Sequence, residues 1–250
     1  MGPLASERLA PPPRCIWFEE IAISSQTLIL GVDTCGPSGS VALARLSESD
    51  VDILAQTELA GRTYSATLIT AIAELLIQAR TSLSMLHAMV VVNGPGSFTG
   101  VRVGLSAVKG LAEAGIIGVV PVSRLEVLAD LAELPCAALD AHRNEVFLRL
   151  AEPGEPAREL LAGREELIPI APAPTRIAVC DESAAALLAS VWPAAAQVRT
   201  APPTAADALK LCARRIAAKT FADVALLDGH YLRRSDAEIF GEPGAPPRPR

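Results

Sequence analysis

The hydrophobic positions of this chain fall into two periods that alternate from residue 28 onward. Leu28–Val32, Ser40–Ala44 and Val51–Leu59 read as three successive strands, the first apolar on both faces and hence buried. Gly36-Pro37-Ser38-Gly39, between the first two, predicts a hairpin turn. Ser65–Ala79 repeats its apolar residues at helical spacing and precedes a buried strand at Ala88–Val92. A second helix is predicted over Ser97–Ala114 and a short strand over Ile116–Val120. A third helix runs from a Ser123 cap to Leu134, with Glu126 in the capping-box position. Strands at Cys136–Leu139 and Glu145–Leu150 open a second unit. Glu152–Pro174 reads as loop-rich, Arg176–Cys180 as a strand, and Glu182–Val191 and Thr204–Thr220 as helices.

The stretch from Val91 to Leu105 ends a strand in a glycine-rich turn and opens directly into a helix. Such a turn presents free N–H groups at the positive end of a helix, where an anion finds partners. Gly94, Gly96, Gly100 and Gly104 permit close approach of backbone or ligand. The spacing fits no standard phosphate fingerprint. A P-loop needs Lys-Ser/Thr after its last glycine, and the Rossmann pattern needs one residue fewer than Gly94-x-Gly96-x-x-x-Gly100. The competing reading is a strand, a turn and a Ser97-capped helix whose glycines serve packing. Asp33 ends a buried strand, where a carboxylate is costly unless it is bonded or binds a cation. Two readings stand: a Mg–nucleotide contact, with Thr34 and Cys35 in the same loop, or a turn-forming Asp that accepts N–H bonds from Cys35–Gly36.

Composition narrows the classes. Half of the 250 residues are hydrophobic, which is far from a disordered composition. The net charge is -6 with no block of one sign, so a basic stripe for gripping nucleic acid is lacking. No apolar run reaches the roughly 18 residues of a membrane span. Met1–Glu20 does not read as a secretory signal, because Pro11-Pro12-Pro13 and Arg14 stand where an apolar region belongs. Cys15, Cys35, Cys136, Cys180 and Cys212 are odd in number and far apart, which suits reduced thiols and a cytoplasmic location. His87, His142 and His230 form no metal-ligating pair, so no metal site is expected.

The string Gly94-Pro-Gly-Ser-Phe-Thr-Gly-Val-Arg-Val-Gly104 resembles the signature of the TsaB (YeaZ-type) family. Ile29-Leu-Gly-Val-Asp33-Thr34-Cys35, Asp140-Ala-His-Arg143-Asn-Glu145-Val-Phe147 and Tyr231-Leu-Arg233 resemble further family segments, in the right order. Three strands followed by helix, strand, helix is also the half-domain pattern of the actin, hexokinase and Hsp70 group. The expected fold is therefore α/β and two-lobed, actin/hexokinase/Hsp70-like (ASKHA, ribonuclease H-like). Lobe I is expected over 27–123 with part of the C-terminal helix 204–220, and lobe II over 124–203. Residues 1–26 and 241–250 read as a disordered extension and tail.

The resemblance implies a non-catalytic subunit in the transfer of threonylcarbamoyl to the adenosine next to the anticodon of tRNA. It implies TsaD as main partner, TsaE in the same assembly and tRNA reached only through the complex; for the free chain, a homodimer over overlapping surface and a monomer both stand. It implies no catalytic residue and no cofactor here, with ATP and Mg held by the partner. The alternative is a stand-alone ATP-dependent transferase or a glycoprotease-like peptidase. A partner surface is expected on two helices. In the first, Leu68, Ile72, Leu75 and Ala79 form one apolar stripe and Ile69, Ala73 and Leu76 a second, wider together than one core face needs. In the second, Gly100, Gly104, Ala107, Gly110 and Leu111 place small residues on one side. The competing reading packs both helices on the sheet. Where relatives carry a His before the first helix, this chain has Tyr64. Asp140, Arg143 and Glu145 form a charged segment in which strand alternation sets Arg143 and Glu145 on one face. A solvated turn competes there with a lobe–lobe or partner contact.

Overall fold

A computed structural model describes residues 27–47, 50–152 and 154–233. The expected extension at 1–26 and tail at 241–250 lie outside the described residues.

The first sheet takes β1 (Thr27–Asp33), β2 (Ser38–Leu46) and β3 (Val51–Ala60) as an antiparallel meander. Helix α1 (Tyr64–Gln78) leads to β4 (Leu86–Val92), and α2 (Phe98–Gly115) leads to β5 (Gly118–Val122), both strands parallel to β1. The strand order is β3-β2-β1-β4-β5. After α3 (Arg124–Leu131) the pattern repeats. Strands β6 (Ala137–Asp140), β7 (Glu145–Leu150) and β8 (Arg158–Gly163) form a second meander. A short α4 (Arg164–Leu167), β9 (Arg176–Val179), α5 (Glu182–Val191) and β10 (Ala196–Arg199) complete an order β10-β9-β6-β7-β8. Each sheet thus has the same arrangement, three antiparallel strands extended by two parallel ones. Two such lobes make the α/β actin/hexokinase/Hsp70-like fold.

The lobes exchange helices. α3 follows the first sheet but packs on β6, β7 and β9 of the second. The last helix of the described residues, α6 (Ala205–Ala217), follows the second sheet but packs on all five strands of the first. β1 explains why α6 is needed. Ile29, Leu30 and Val32 are all fully buried, so both faces of the strand must be covered. At Gly31 a Cβ would lie 2.7 Å from the Ala205 carbonyl oxygen, so only glycine lets α6 sit this close.

Several boundaries differ from the sequence expectation for local reasons. α2 ends at Gly115 and is capped by Ile116, whose φ of 53° is left-handed, and this shifts the next strand from Ile116–Val120 to Gly118–Val122. α3 stops at Leu131, short of the expected Leu134, and Glu133 adopts a φ of 51°. Glu126 does not close a capping box with Ser123; it pairs instead with Arg215 of α6. α1 starts at Tyr64, one residue before the expected Ser65. The expected loop 152–174 contains β8 and α4, and β10 is an unexpected strand.

Candidate functional site

The end of β1 and the turn after it lie where the two lobes meet. Asp33 is 1% exposed, and its Oδ1 accepts the Cys35 N–H at 2.8 Å. Its Oδ2 lies 3.5 Å from Nε of Arg124, the first residue of α3, which is itself 6% exposed. Neither atom of that ion pair has an aligned hydrogen bond. Burial lowers the pKa of Arg124, but the Asp33 charge, with smaller contributions from Cys35 and Cys180, raises the value overall. The guanidinium covers the turn so tightly that a Cβ at Gly36 would collide with it. Tyr64 closes the other side, its hydroxyl donating to the Gly36 carbonyl at 2.8 Å. Burial, and then the Asp33 charge, push its pKa up to about 12. Burial likewise raises the Cys35 thiol, with Asp33 adding to it, so this buried Cys is a poor nucleophile. Its Sγ donates to the Val92 carbonyl at 3.1 Å.

The glycine string packs against this turn. The Ser97 N–H donates to the Cys35 carbonyl at 2.8 Å, and a Cβ at Gly96 would strike the same carbonyl. Thr34 Oγ1 donates to the Gly100 carbonyl at 2.7 Å. A Cβ at Gly100 would collide with the Thr34 carbonyl, and one at Gly104 with the Thr34 hydroxyl. Ser97 Oγ accepts the Gly100 N–H at 3.3 Å as the α2 cap. Gly94 has a φ of 121°, and its carbonyl accepts the Arg124 N–H at 2.6 Å. Asp33, Thr34, Cys35, Gly94, Gly96 and Ser97 are therefore brought together. The expectation that Gly100 and Gly104 leave room for a partner helix is corrected: that room is taken by Thr34 of the same chain.

A second polar cluster joins the lobes beside it. Glu159 of β8 accepts at Oε1 from Arg149 at 2.8 Å, and at Oε2 from Ser123 at 2.6 Å; His230 Nε2 lies 2.9 Å from Oε2. Burial raises the Glu159 pKa, but hydrogen bonds from His230, Ser123 and Arg149 reverse this and hold it below the usual carboxylate value. The carboxylate stands between Ser123 and His230. A hydrolytic triad needs the imidazole between hydroxyl and carboxylate, so this order does not activate Ser123. The segment around His230 runs as a strap. His230 N–H donates to the Asn93 carbonyl at 2.7 Å, the Tyr231 ring lies 5.0 Å from that of Phe98, Leu232 packs against the α3 core, and Arg233 pairs with Glu145.

Asp140 accepts the His142 N–H at 2.8 Å and lies 3.0 Å from its Nδ1. His142, Arg143 and Asn144 all have positive φ, near 60°. They form a left-handed turn, so strand alternation does not govern them, and the shared face expected for Arg143 and Glu145 is corrected. Arg143 is exposed, while Glu145 is held by Arg233.

α1 and α2 flank a surface groove of about 670 Å³, lined among others by Leu68, Ile69, Phe98, Arg102 and Ala107. Ile69 is 53% exposed and Ile77 73%, and Ala73 between them is also exposed. Leu68, Ile72 and Leu76 were expected in the partner surface but are buried on the sheet, together with Leu75. The helix has one stripe for the core and one for solvent, and Leu76 belongs to the first. Ala107 and Leu111 are half-buried against the core. Arg102 lies 3.8 Å above the Phe98 ring at the groove mouth.

Arg124 and Glu159 were missed by sequence reasoning. For Arg124 one signal existed: a cation in the first turn of a helix opposes the helix dipole and requires a compensating anion. Among the described residues no group of three or more His, Cys, Asp or Glu is placed to hold a metal ion, and no helix is long and apolar enough to cross a membrane.

Comparison with known proteins adds to the geometry. A family model described as "TsaD: tRNA N6-adenosine threonylcarbamoyltransferase" matches residues 48–165. The tRNA threonylcarbamoyladenosine biosynthesis protein TsaB of Haemophilus influenzae is 37% identical over 125 residues, 48% of this chain and 51% of the relative. The protein of the same name from Escherichia coli is 34% identical over 125 residues, 48% of this chain and 52% of the relative. The chain thus spans about half the length of the curated relatives it matches. A crystal structure described as an uncharacterized protein with similarity to peptidase YEAZ, from Pseudomonas aeruginosa, aligns at TM-score 0.67 with 28% identity, covering 83% of this chain and 100% of that one. A structure of YeaZ from the same organism aligns at 0.65 with 27% identity, covering 82% and 100%.

Proposed function

We propose, taking as premise that these matches identify the chain as of the TsaB/YeaZ type, that it acts in tRNA threonylcarbamoyladenosine synthesis as a non-catalytic subunit. It binds TsaD and supports the transfer of threonylcarbamoyl to adenosine; ATP and Mg are held by that partner, and TsaE joins the same assembly. The carrying observation is the groove between α1 and α2, lined by Ile69, together with the exposed apolar stripe Ile69, Ala73 and Ile77 that continues along α1 beyond it. A soluble chain rarely leaves such a stripe uncovered in its working state. The non-catalytic reading is supported at Asp33. Its Oδ1 serves the turn and its Oδ2 faces Arg124, so the carboxylate is already balanced within the chain.

Copurification with TsaD followed by a tRNA modification assay tests the reading. Modification is expected only when both proteins are present. The isolated chain is expected to turn over neither ATP nor peptides. Robust ATP hydrolysis by the chain alone, lost in a folded Asp33→Ala variant, would overturn it.

A further inference from the structure

Arg124 lies outside the α1–α2 groove, yet its ion-pair partner belongs to the turn that anchors both groove helices. Four contacts converge on residues 33–36. From lobe II, Arg124 reaches Asp33. From α1, the Tyr64 hydroxyl reaches the Gly36 carbonyl at 2.8 Å. From α2, the Ser97 N–H reaches the Cys35 carbonyl at 2.8 Å, and the Gly100 carbonyl takes the Thr34 hydroxyl at 2.7 Å. The turn itself is held by Asp33 Oδ1 on the Cys35 N–H. Residues 33–36 are all buried, and exposure begins only at Pro37, so these bonds are exchanged against little water. The Arg124 N–H also bonds the Gly94 carbonyl, which ties the start of α3 to the loop that starts α2.

We infer that the Asp33–Gly36 turn couples the angle between the lobes to the shape of the α1–α2 groove, with the buried Asp33–Arg124 pair as its latch. The inference deepens the reading of the groove as a docking surface, but its physical content stands in the free chain. While the latch is closed, α3 fixes Asp33, Asp33 fixes the turn, and the turn fixes the first turns of α1 and α2. Opening the lobes pulls Arg124 from a carboxylate that then lies buried and unpaired, so latch and turn yield together. By reciprocity, whatever orders the groove helices also favours the closed latch.

Hydrogen exchange of the full chain, read by mass spectrometry without any partner, decides it. In Arg124→Gln, the peptides spanning 33–39 and the first turns of α1 and α2 are expected to exchange about tenfold faster, as local opening becomes easier. The last turn of α2 and strands β7–β8 should be unchanged. The double variant Asp33→Asn/Arg124→Gln removes both charges and should return the helix starts toward wild type. Tyr64→Phe works from the opposite end: it deletes one bond to Gly36, leaves the ion pair intact, and should accelerate exchange at 33–36 and at the start of α3. It also serves if Arg124→Gln does not fold. Acceleration confined to the site of each substitution, with the helix starts or α3 unaffected, would overturn the coupling. Because no partner is present, that outcome is separate from failure to bind TsaD.

Discussion

Arg124 and Glu159 are charged side chains taken out of water, and the chain answers each differently. Arg124 meets one carboxylate without good hydrogen bonds, whereas Glu159 receives three hydrogen-bonded partners. The second arrangement has a pH signature. A carboxyl whose folded pKa lies below its unfolded value of about 4.3 stabilises the fold above that value, and the contribution is lost as pH falls through the folded pKa. Acid unfolding of wild type is therefore expected to include a Glu159 component below about pH 4.3. Glu159→Gln should be less stable at neutral pH and should flatten the acid limb, as followed by circular dichroism melts from pH 3 to 7. Glu159 was not legible as a site, because its pairing with Ser123 and His230 joins positions 36 and 71 residues apart, and Arg124 left only its place in a first helical turn as a signal. The Asp33 turn was legible, since a carboxylate at the end of an all-apolar strand has few physical outcomes.

At the scale of elements, the two groove helices separate residues that sequence periodicity could not rank. Two adjacent stripes on α1 were visible, but not which one met the sheet. Leu75 is fully buried and Ile69 is 53% exposed, which settles the orientation. Ile69→Glu is expected to leave thermal stability within about 0.5 kcal/mol and to weaken association with TsaD by at least about 2 kcal/mol, read by titration calorimetry. Leu75→Glu should unfold the chain, because it buries an unpaired charge. On α2 the glycines divide in the same way. A Cβ at Gly100 meets Thr34, while one at Gly110 meets nothing within 4 Å. Gly110→Ala should thus raise stability by about 0.5–1 kcal/mol, and Gly100→Ala should lower it; denaturant midpoints of the two variants give the comparison. Strands β8 and β10 escaped the sequence because neither alternates cleanly: Leu160 and Leu161 stand side by side after Arg158-Glu159, and Ala196-Gln-Val-Arg199 carries only one large apolar residue. Their existence rests on pairing with neighbours, which no local pattern records.

For the whole molecule, the repeated half-domain was readable from element order, whereas the joints between halves were not. These joints are made by residues 228–233, by the reciprocal helices α3 and α6, and by Arg215 on Glu126. Tyr231→Ala removes the ring packed on Phe98, and should loosen the strap and lower the melting temperature of the full chain without altering its strand content by circular dichroism. α6 has another consequence, which concerns synthesis. The first sheet is translated early, but the helix that covers it is made only after the whole second sheet. At about 5–20 residues per second, β1 waits roughly 10–35 s for α6 after it is made. The second sheet, by contrast, already has its own α3 when β10 emerges. On the ribosome, the downstream lobe is therefore the one able to close first, and the upstream sheet must stay soluble with one apolar face open until α6 has been made.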